Sequence, residues 1–322
     1  MGMRIAVTGA NGFIGRHLVR HLSVGGYAVA AGWRGTRSTP REWQDLPGVE
    51  VVQLDGTAGG FDRLMEGAEA VIHLAGLAAA PRGSDAEQAL RAANVDLTQE
   101  VVAAALRCGV RRFIHLSSIR AVVGASANAI ISDNTVAVPV EAYGRSKLQS
   151  EQRVAAFAGS GRFAVSLRPP LVIGADAGGN WQRLQRLAAS KAWMPFAGIR
   201  NRRSYLAVQS LCEALAHLAG RDWPAELSGA YCLADGEALS LAEVITALRT
   251  GMGQPPKLFA APGLAVLRHL PVVGGAASSL LGSLEIDAGR FREVFAFQPS
   301  RSIKEAIAVS GTGYVGSQNI SV

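Results

Sequence analysis

Tyr143 and Lys147, in the run Tyr143-Gly144-Arg145-Ser146-Lys147, stand four residues apart, the spacing that stacks two side chains on one face of a helix. An ordinary phenol titrates near ~10 and is a poor base at neutral pH, whereas a fixed cation beside it stabilises the phenolate and lowers that value. Such a pair can move a proton at neutral pH. The same spacing also fits a helix that packs a Tyr on its core and leaves a solvated Lys, so the reading turns on what surrounds the pair. A hydroxyl near the phenol is needed to hold a substrate oxygen and keep the phenol oriented. Ser118 is the candidate and Ser117 the reserve; the two close an apolar run over residues 112–116.

The elements that must position these groups begin at the N-terminus. Residues 3–8 form a short apolar run, followed by Gly9, Ala10, Asn11, Gly12, Phe13, Ile14, Gly15 and a helical stretch over 16–22. This reads as strand, glycine turn, helix: Gly9 permits the tight turn, Gly12 lets the backbone approach a pyrophosphate, and Gly15 allows close helix packing. The helix N-terminus then faces the anion. The spacing is Gly-x-x-Gly-x-x-Gly, which differs from the usual Gly-x-Gly-x-x-Gly. Further strands are expected over 28–32, 50–54, 70–74, 112–117 and 163–168, alternating with Ala-rich helices, one of which runs over 142–158 and carries Tyr143 and Lys147. That alternation predicts an α/β fold, a Rossmann-type doubly wound parallel sheet. After Pro170 it weakens, so residues 1–170 read as a dinucleotide-binding domain and 171–322 as a smaller C-terminal substrate-binding lobe. Short strands at 205–208 and 230–233 are expected to return chain to the sheet.

With 322 residues, 49% of them hydrophobic, there is chain enough for a large core and one or two domains. Cys108, Cys212 and Cys232 are widely spaced in apolar contexts and give neither a metal spacing nor a disulfide framework, so no metal site is expected. The sequence opens directly on a strand without a signal segment, which points to the cytoplasm. The stretch 262–284 is apolar but broken by Arg268, His269 and Pro271, which favours helices over a membrane span and leaves surface attachment open. The net charge of +7 comes without an aromatic-interleaved basic run, so nucleic acid is not an expected partner.

One local absence bears on the cofactor. The first 41 residues contain no Asp or Glu, while Arg16, Arg20, Arg34, Arg37 and Arg41 are present. An NAD-preferring site puts an acid after the second strand to hold the ribose hydroxyls. Here Gly32-Trp33-Arg34 takes that place, and Arg34 can pair with a 2′-phosphate, so NADP(H) is favoured and NAD(H) remains the alternative, with Arg34 then merely solvated.

Taken in order, these residues resemble the extended short-chain dehydrogenase/reductases, in particular the UDP-glucose 4-epimerase-like nucleotide-sugar epimerase, dehydratase and reductase group. The resemblance rests on the turn from Gly9 to Gly15, His73-Leu74-Ala75-Gly76, Asn94, Ser117-Ser118, Tyr143 with Lys147, Arg168-Pro169-Pro170 with Gly174, and Asn201-Arg202-Arg203-Ser204-Tyr205. It implies that Leu74, Ala75, Gly76, Asn94, Ser117 and Pro170 line the cofactor with Lys147, that Asp55 meets the adenine unless it is a plain strand-end residue, and that Lys147 holds the nicotinamide ribose. It also implies a homodimer and a nucleotide-sugar substrate, with a UDP-hexose foremost. Asn180, after Gly178 and Gly179, matches a diphosphate contact of relatives, and a helix N-cap is the other reading. Arg203, beside Arg202, offers the planar fork that suits a diphosphate. Where the dehydratases of this group carry Asp-Glu after the catalytic hydroxyl, this chain has Ile119-Arg120, and the Tyr-Gly ending common after the serines is missing. Dehydration is therefore disfavoured. Two readings remain, a 4-keto reductase that consumes NADPH, which Arg34 favours, and a 4-epimerase that keeps NAD bound; a non-catalytic NADP sensor would require a broken Tyr-Lys pair.

Overall fold

The computed structural model describes residues 2–35, 43–79, 83, 85–261 and 280–319. Arg37, Arg41 and most of the apolar stretch at 262–284 therefore lie outside the described residues. Seven strands form one parallel sheet: β1 (Arg4–Thr8), β2 (Ala28–Trp33), β3 (Val49–Gln53), β4 (Ala70–His73), β5 (Arg112–Leu116), β6 (Phe163–Arg168) and, from far along the chain, β9 (Gly229–Cys232). Their order is β3-β2-β1-β4-β5-β6-β9. The two remaining strands, β7 (Leu171–Ile173) and β8 (Tyr205–Ala207), pair in parallel as a separate small sheet, so of the two segments expected to return to the main sheet only β9 does, β8 taking β7 as its partner instead.

Strand side chains alternate between two cores. Ile5 and Val7 of β1, Val29 and Ala31 of β2 and Ile72 of β4 face one side, while Ala6, Ala30 and Val71 face the other. A sheet apolar on both faces must be covered on both. One side is covered by α1 (Phe13–Val24) and α7 (Val208–Ala219), through Leu18, Leu22, Leu211 and Leu215. On the other lie α2 (Ala58–Met65), α4 (Leu97–Arg107) and α5 (Ala142–Ala155), through Phe61, Leu64, Val101, Ala105 and Val154. Each fully buried Leu or Phe of this kind contributes ~1.5–3 kcal/mol relative to exposure. The fold is thus the doubly wound α/β sheet expected from the strand-helix alternation. Its direction of winding reverses between β1 and β4, so the crevice at their carboxyl ends is where such sheets take ligands.

Between α3 (Ala86–Leu90) and α4 the chain passes through a π-helical turn, Arg91–Asp96. Beyond β6, a third cluster centred on Trp181, Leu248 and Ile307 is built by α6 (Gly179–Ala189), α8 (Leu241–Gly251) and α10 (Ile303–Asn319). Ser240 and Glu243 close a reciprocal capping box at the start of α8. The helix α9 (Gly289–Phe295) packs Phe295 edge-on to Tyr231 of β9 at 4.9 Å. The strand β7 was not expected: it starts directly after Pro169-Pro170, where proline interrupts the apolar periodicity. Among the described residues, no helix is long and apolar enough to cross a membrane.

Candidate active site at the sheet switch point

The turn between β1 and α1 has the shape that the glycine spacing implies. Gly9 has φ +68°, and a Cβ there would meet the backbone of Leu74 and Ala75 at 2.6–2.9 Å; one on Gly15 would collide with the carbonyls of Gly9 and Ala10. Two loops, one after β1 and one after β4, are thereby brought to the two sides of the switch point. Gly12 is exposed and is the N-cap of α1, with no side-chain cap and no acid in the first turn, so the amides of Phe13, Ile14 and Gly15 begin a helix end that favours an anion. Asn11 is half-buried in the same turn. These residues fit the pyrophosphate of a dinucleotide.

Across the crevice, Leu74 and Ala75 are half-buried and Gly76 is exposed. The π turn brings Asn94 under this loop: its Oδ1 accepts from the Leu77 amide at 2.8 Å, and its Nδ2 donates to the Leu77 carbonyl at 3.1 Å and to Ser146 Oγ at 2.9 Å. Ser146 Oγ in turn donates to the Tyr143 carbonyl at 2.8 Å. Asn94 therefore braces the loop against the first turn of α5, with both amide protons committed, rather than presenting its side chain to a ligand.

On α5, Tyr143 is half-buried and Lys147 buried. Burial raises the Tyr143 phenol above its ordinary range, and the hydrogen bond with Ser118 and the charge of Arg120 pull it down. Lys147 behaves differently from the sequence expectation. Its Nζ donates to the Leu116 carbonyl at 2.7 Å, and its charge acts on His73 and His115 instead of the phenol. Burial lowers the Lys147 ammonium from 10.5 to about 8, with Glu151 acting against the fall. The cation that eases Tyr143 is Arg120, which the sequence reading noted only as the loss of an acid. Its carbonyl lies against Gly144, where a Cβ would collide with it, so the turn after β5 and the start of α5 fit closely. Its guanidinium pairs with Glu141.

The two serines separate cleanly. Ser118 accepts the Arg120 amide at 3.2 Å and shares a hydrogen bond with Tyr143, whereas Ser117 Oγ donates to Glu151 Oε1 at 2.5 Å. Glu151 also takes a two-pronged contact from Arg168, at 2.9 and 2.6 Å, and both partners are buried. Nearby, His73 and His115 stack with ring centroids 5.7 Å apart. Burial, followed by the Lys147 charge, holds His73 at about 3 and His115 well below its usual value, so both are neutral. They bond to hydroxyls: His73 to Thr8 at 2.7 Å and Thr98 at 2.9 Å, His115 to Ser166 at 3.0 Å.

The other expected residues are spread around this centre. Pro170 is buried, and the neighbouring Pro169 carbonyl accepts the Ile119 amide at 2.9 Å. Arg34 is exposed directly after β2 and has no ion-pair partner among the described residues. Asp55 is committed to a helix start, accepting from the Thr57 amide and hydroxyl at 3.0 and 2.6 Å and from Arg63 at 3.1 Å, the plain turn role that stood as its alternative. Asn180 is exposed in the first turn of α6, whose N-cap is Gly178, so the N-cap reading of Asn180 does not hold. Arg203 donates to the carbonyls of Gly282 at 2.8 Å and Ala125 at 3.1 Å, tying two loops together. Among the described residues, no group of His, Cys, Asp and Glu is arranged to hold a metal ion.

This geometry has counterparts. The model of a family described as the NAD dependent epimerase/dehydratase family matches residues 5–226. A UDP-glucose 4-epimerase of Vibrio cholerae is 25% identical, covering 99% of this chain and 98% of its own. A 4-hydroxy-2-methyl-3-oxo-4-farnesyl-3,4-dihydroquinoline-1-oxide ketoreductase of Stigmatella aurantiaca is 30% identical over 78% of this chain and 74% of its own. Among solved structures, MoeE5 in complex with UDP-glucose and NAD is similar at a TM-score of 0.76 and 24% identity, over 98% of this chain and all of the other.

Proposed function

The chain belongs to the NAD dependent epimerase/dehydratase family, and from that premise we propose that it reduces the 4-keto group of a UDP-linked hexose with NADPH. The choice of NADPH rests on the end of β2. Arg34 stands exposed there, without an ion-pair partner among the described residues, and no acid precedes residue 42. A 2′-phosphate supplies the anion that this cation lacks, and among the described residues no carboxylate directly follows β2 to hold the ribose hydroxyls in the manner of an NAD-selective site.

The turn from Gly9 to Gly15 would hold the pyrophosphate and Lys147 the nicotinamide ribose, its Nζ anchored on the Leu116 carbonyl. When bound, the reduced nicotinamide supplies a hydride to the carbonyl carbon. Ser118 Oγ holds the carbonyl oxygen close to Tyr143, and Tyr143 gives its phenolic proton to that oxygen as charge develops there. Arg120 favours the phenolate that remains, by its charge, and Ser118 by its hydrogen bond. Asn180, exposed at the start of α6, is the better candidate for the diphosphate than Arg203, whose guanidinium is engaged by two carbonyls. The cofactor is assigned to the first 170 residues, which also supply Ser118 and Tyr143 to the sugar carbonyl, and the rest of the substrate mainly to the chain beyond, apart from α7 and β9, which pack on or join the main sheet.

A second reading, 4-epimerisation with retained NAD, is favoured by one observation: the Vibrio cholerae UDP-glucose 4-epimerase aligns over nearly all of both chains. The two are separated by purifying the protein, identifying any nucleotide that stays bound, and following NADPH absorbance with a UDP-4-keto-6-deoxyhexose. Stoichiometric NADPH loss supports the reductase. Retained NAD with interconversion of UDP-glucose and UDP-galactose, and no NADPH consumption, would replace it.

A further inference from the structure

We propose that the lobe built around α6 and α8 docks on an anionic phospholipid surface through Trp193 and Phe259. Residues 192–197 and 257–260 run side by side: the Met194 amide donates to the Lys257 carbonyl and the Phe259 amide to the Met194 carbonyl, each at 2.9 Å, and the Ala197 amide to the Phe259 carbonyl at 3.1 Å. Met194 is buried in the lobe core and Leu258 packs against it. The flanking aromatics are exposed, Trp193 to 64% and Phe259 to 46%. Two large exposed rings on adjacent, hydrogen-bonded segments form an apolar surface, and rings of this kind favour the headgroup boundary of a bilayer.

The backbone of the patch is held by a buried cation that pairs with no acid among the described residues. Arg249 is fully buried and donates to the carbonyls of Ala188, Ser190 and Ala192 at 2.8–3.0 Å and to that of Pro256. Its guanidinium clamps the loop before Trp193 to the segment that carries Phe259, so the backbone bearing the two rings has little freedom left to lose on docking.

Charge selects the partner. Residues 177–212 contain no Asp or Glu, and neither do residues 244–284. Arg183, Arg186, Lys191 and Arg200 are exposed on the first segment, and Lys257, half-buried, donates to the Lys191 carbonyl at 3.3 Å on the second. Exposed aromatics beside cations, on two segments that carry no carboxylate of their own, match an anionic membrane surface, where apolar insertion and electrostatic attraction act together.

The test uses the full chain and vesicles of phosphatidylcholine alone or mixed with phosphatidylglycerol, read by co-sedimentation. The protein is expected to pellet with the mixed vesicles, to be released by salt, and to stay in solution with phosphatidylcholine alone. The Trp193→Ser, Phe259→Ser double variant, with an unchanged melting temperature, is expected to lose pelleting, and Lys191→Gln or Lys257→Gln to weaken it about fivefold each. Absence of binding to the mixed vesicles, or unchanged binding of the double variant, overturns the proposal. A dimer in sedimentation velocity that the same double substitution dissociates overturns it too, assigning the patch to a second copy of the chain.

Discussion

Replacing Lys147 with Met is expected to abolish turnover and, at neutral pH, to stabilise the fold. Lys147 is buried, and its ammonium falls from 10.5 to about 8. At 1.36 kcal/mol per tenfold change, keeping it charged costs the folded state about 3 kcal/mol near pH 7. Methionine removes that cost but leaves the Leu116 carbonyl without its donor, which costs roughly 1–3 kcal/mol. The net gain at neutral pH is therefore small, about 0–2 kcal/mol. The sign of the pH dependence is firmer than the net. Between about 8 and 10.5 the unfolded chain binds the proton that the folded protein has released, so the stability of the native protein rises with pH across that window. The variant lacks this rise. Urea unfolding followed by tryptophan fluorescence, for both proteins at several pH values from about 7 to 10, measures the difference directly, and groups titrating elsewhere cancel. The native protein should gain about 2.5 kcal/mol on the variant across that pH range. A difference that stays constant would refute the account of a buried, strained ammonium.

Four further outcomes follow from the site. Tyr143→Phe should lower the single-turnover rate by roughly 10²–10⁴ with the NADPH dissociation constant nearly unchanged, and a loss below about tenfold would remove the phenol from proton transfer. Arg34→Asp should weaken NADPH relative to NADH by about 1.5–3 kcal/mol in fluorescence titrations, whereas an unaltered ratio would make the arginine a bystander. Arg120→Gln removes the charge that pulls the Tyr143 phenol down, so the alkaline limb of the reduction rate, where the acid form is lost, should move to higher pH. Glu151→Gln leaves Arg168 buried without its counter-charge and should cost about 3–5 kcal/mol in chemical denaturation, a loss that joint replacement of both partners by apolar residues should largely restore.

What was legible in the sequence was local. The glycine turn, the i,i+4 pair and the strand periods depend on residues close along the chain, and each appears within a residue or a few of its expected bounds. What escaped depends on tertiary approach. Arg120 reads as a missing acid until the turn after β5 is seen against Gly144, a fit created by two segments more than twenty residues apart. The division of labour between Ser117 and Ser118 is set by Glu151 and Tyr143 on the same helix, and neighbouring serines alone cannot announce which helix position each will meet. Arg203 and Arg249 end on backbone carbonyls, and a carbonyl leaves no residue signature. Even the Tyr-Lys spacing was half informative: it put both groups on one helix but did not reveal that the lysine would turn to the end of β5.

The π turn at Arg91–Asp96 has a consequence for how this site can change. Such a turn holds one residue more than an α-helical turn, so α3, which buries Leu90, and α4, which buries Thr98, Val101, Val102, Ala104 and Ala105, run out of phase with each other. Deleting Ala92 or Ala93 would restore a continuous helix and satisfy its ladder. It would also swing Asn94 by about a quarter turn, away from Leu77 and Ser146. The surplus residue acts as a phase shifter: the helix gives up regularity so that one amide can register the loop after β4 against the first turn of α5, and loss of that residue would leave a sounder helix beside a misaligned crevice.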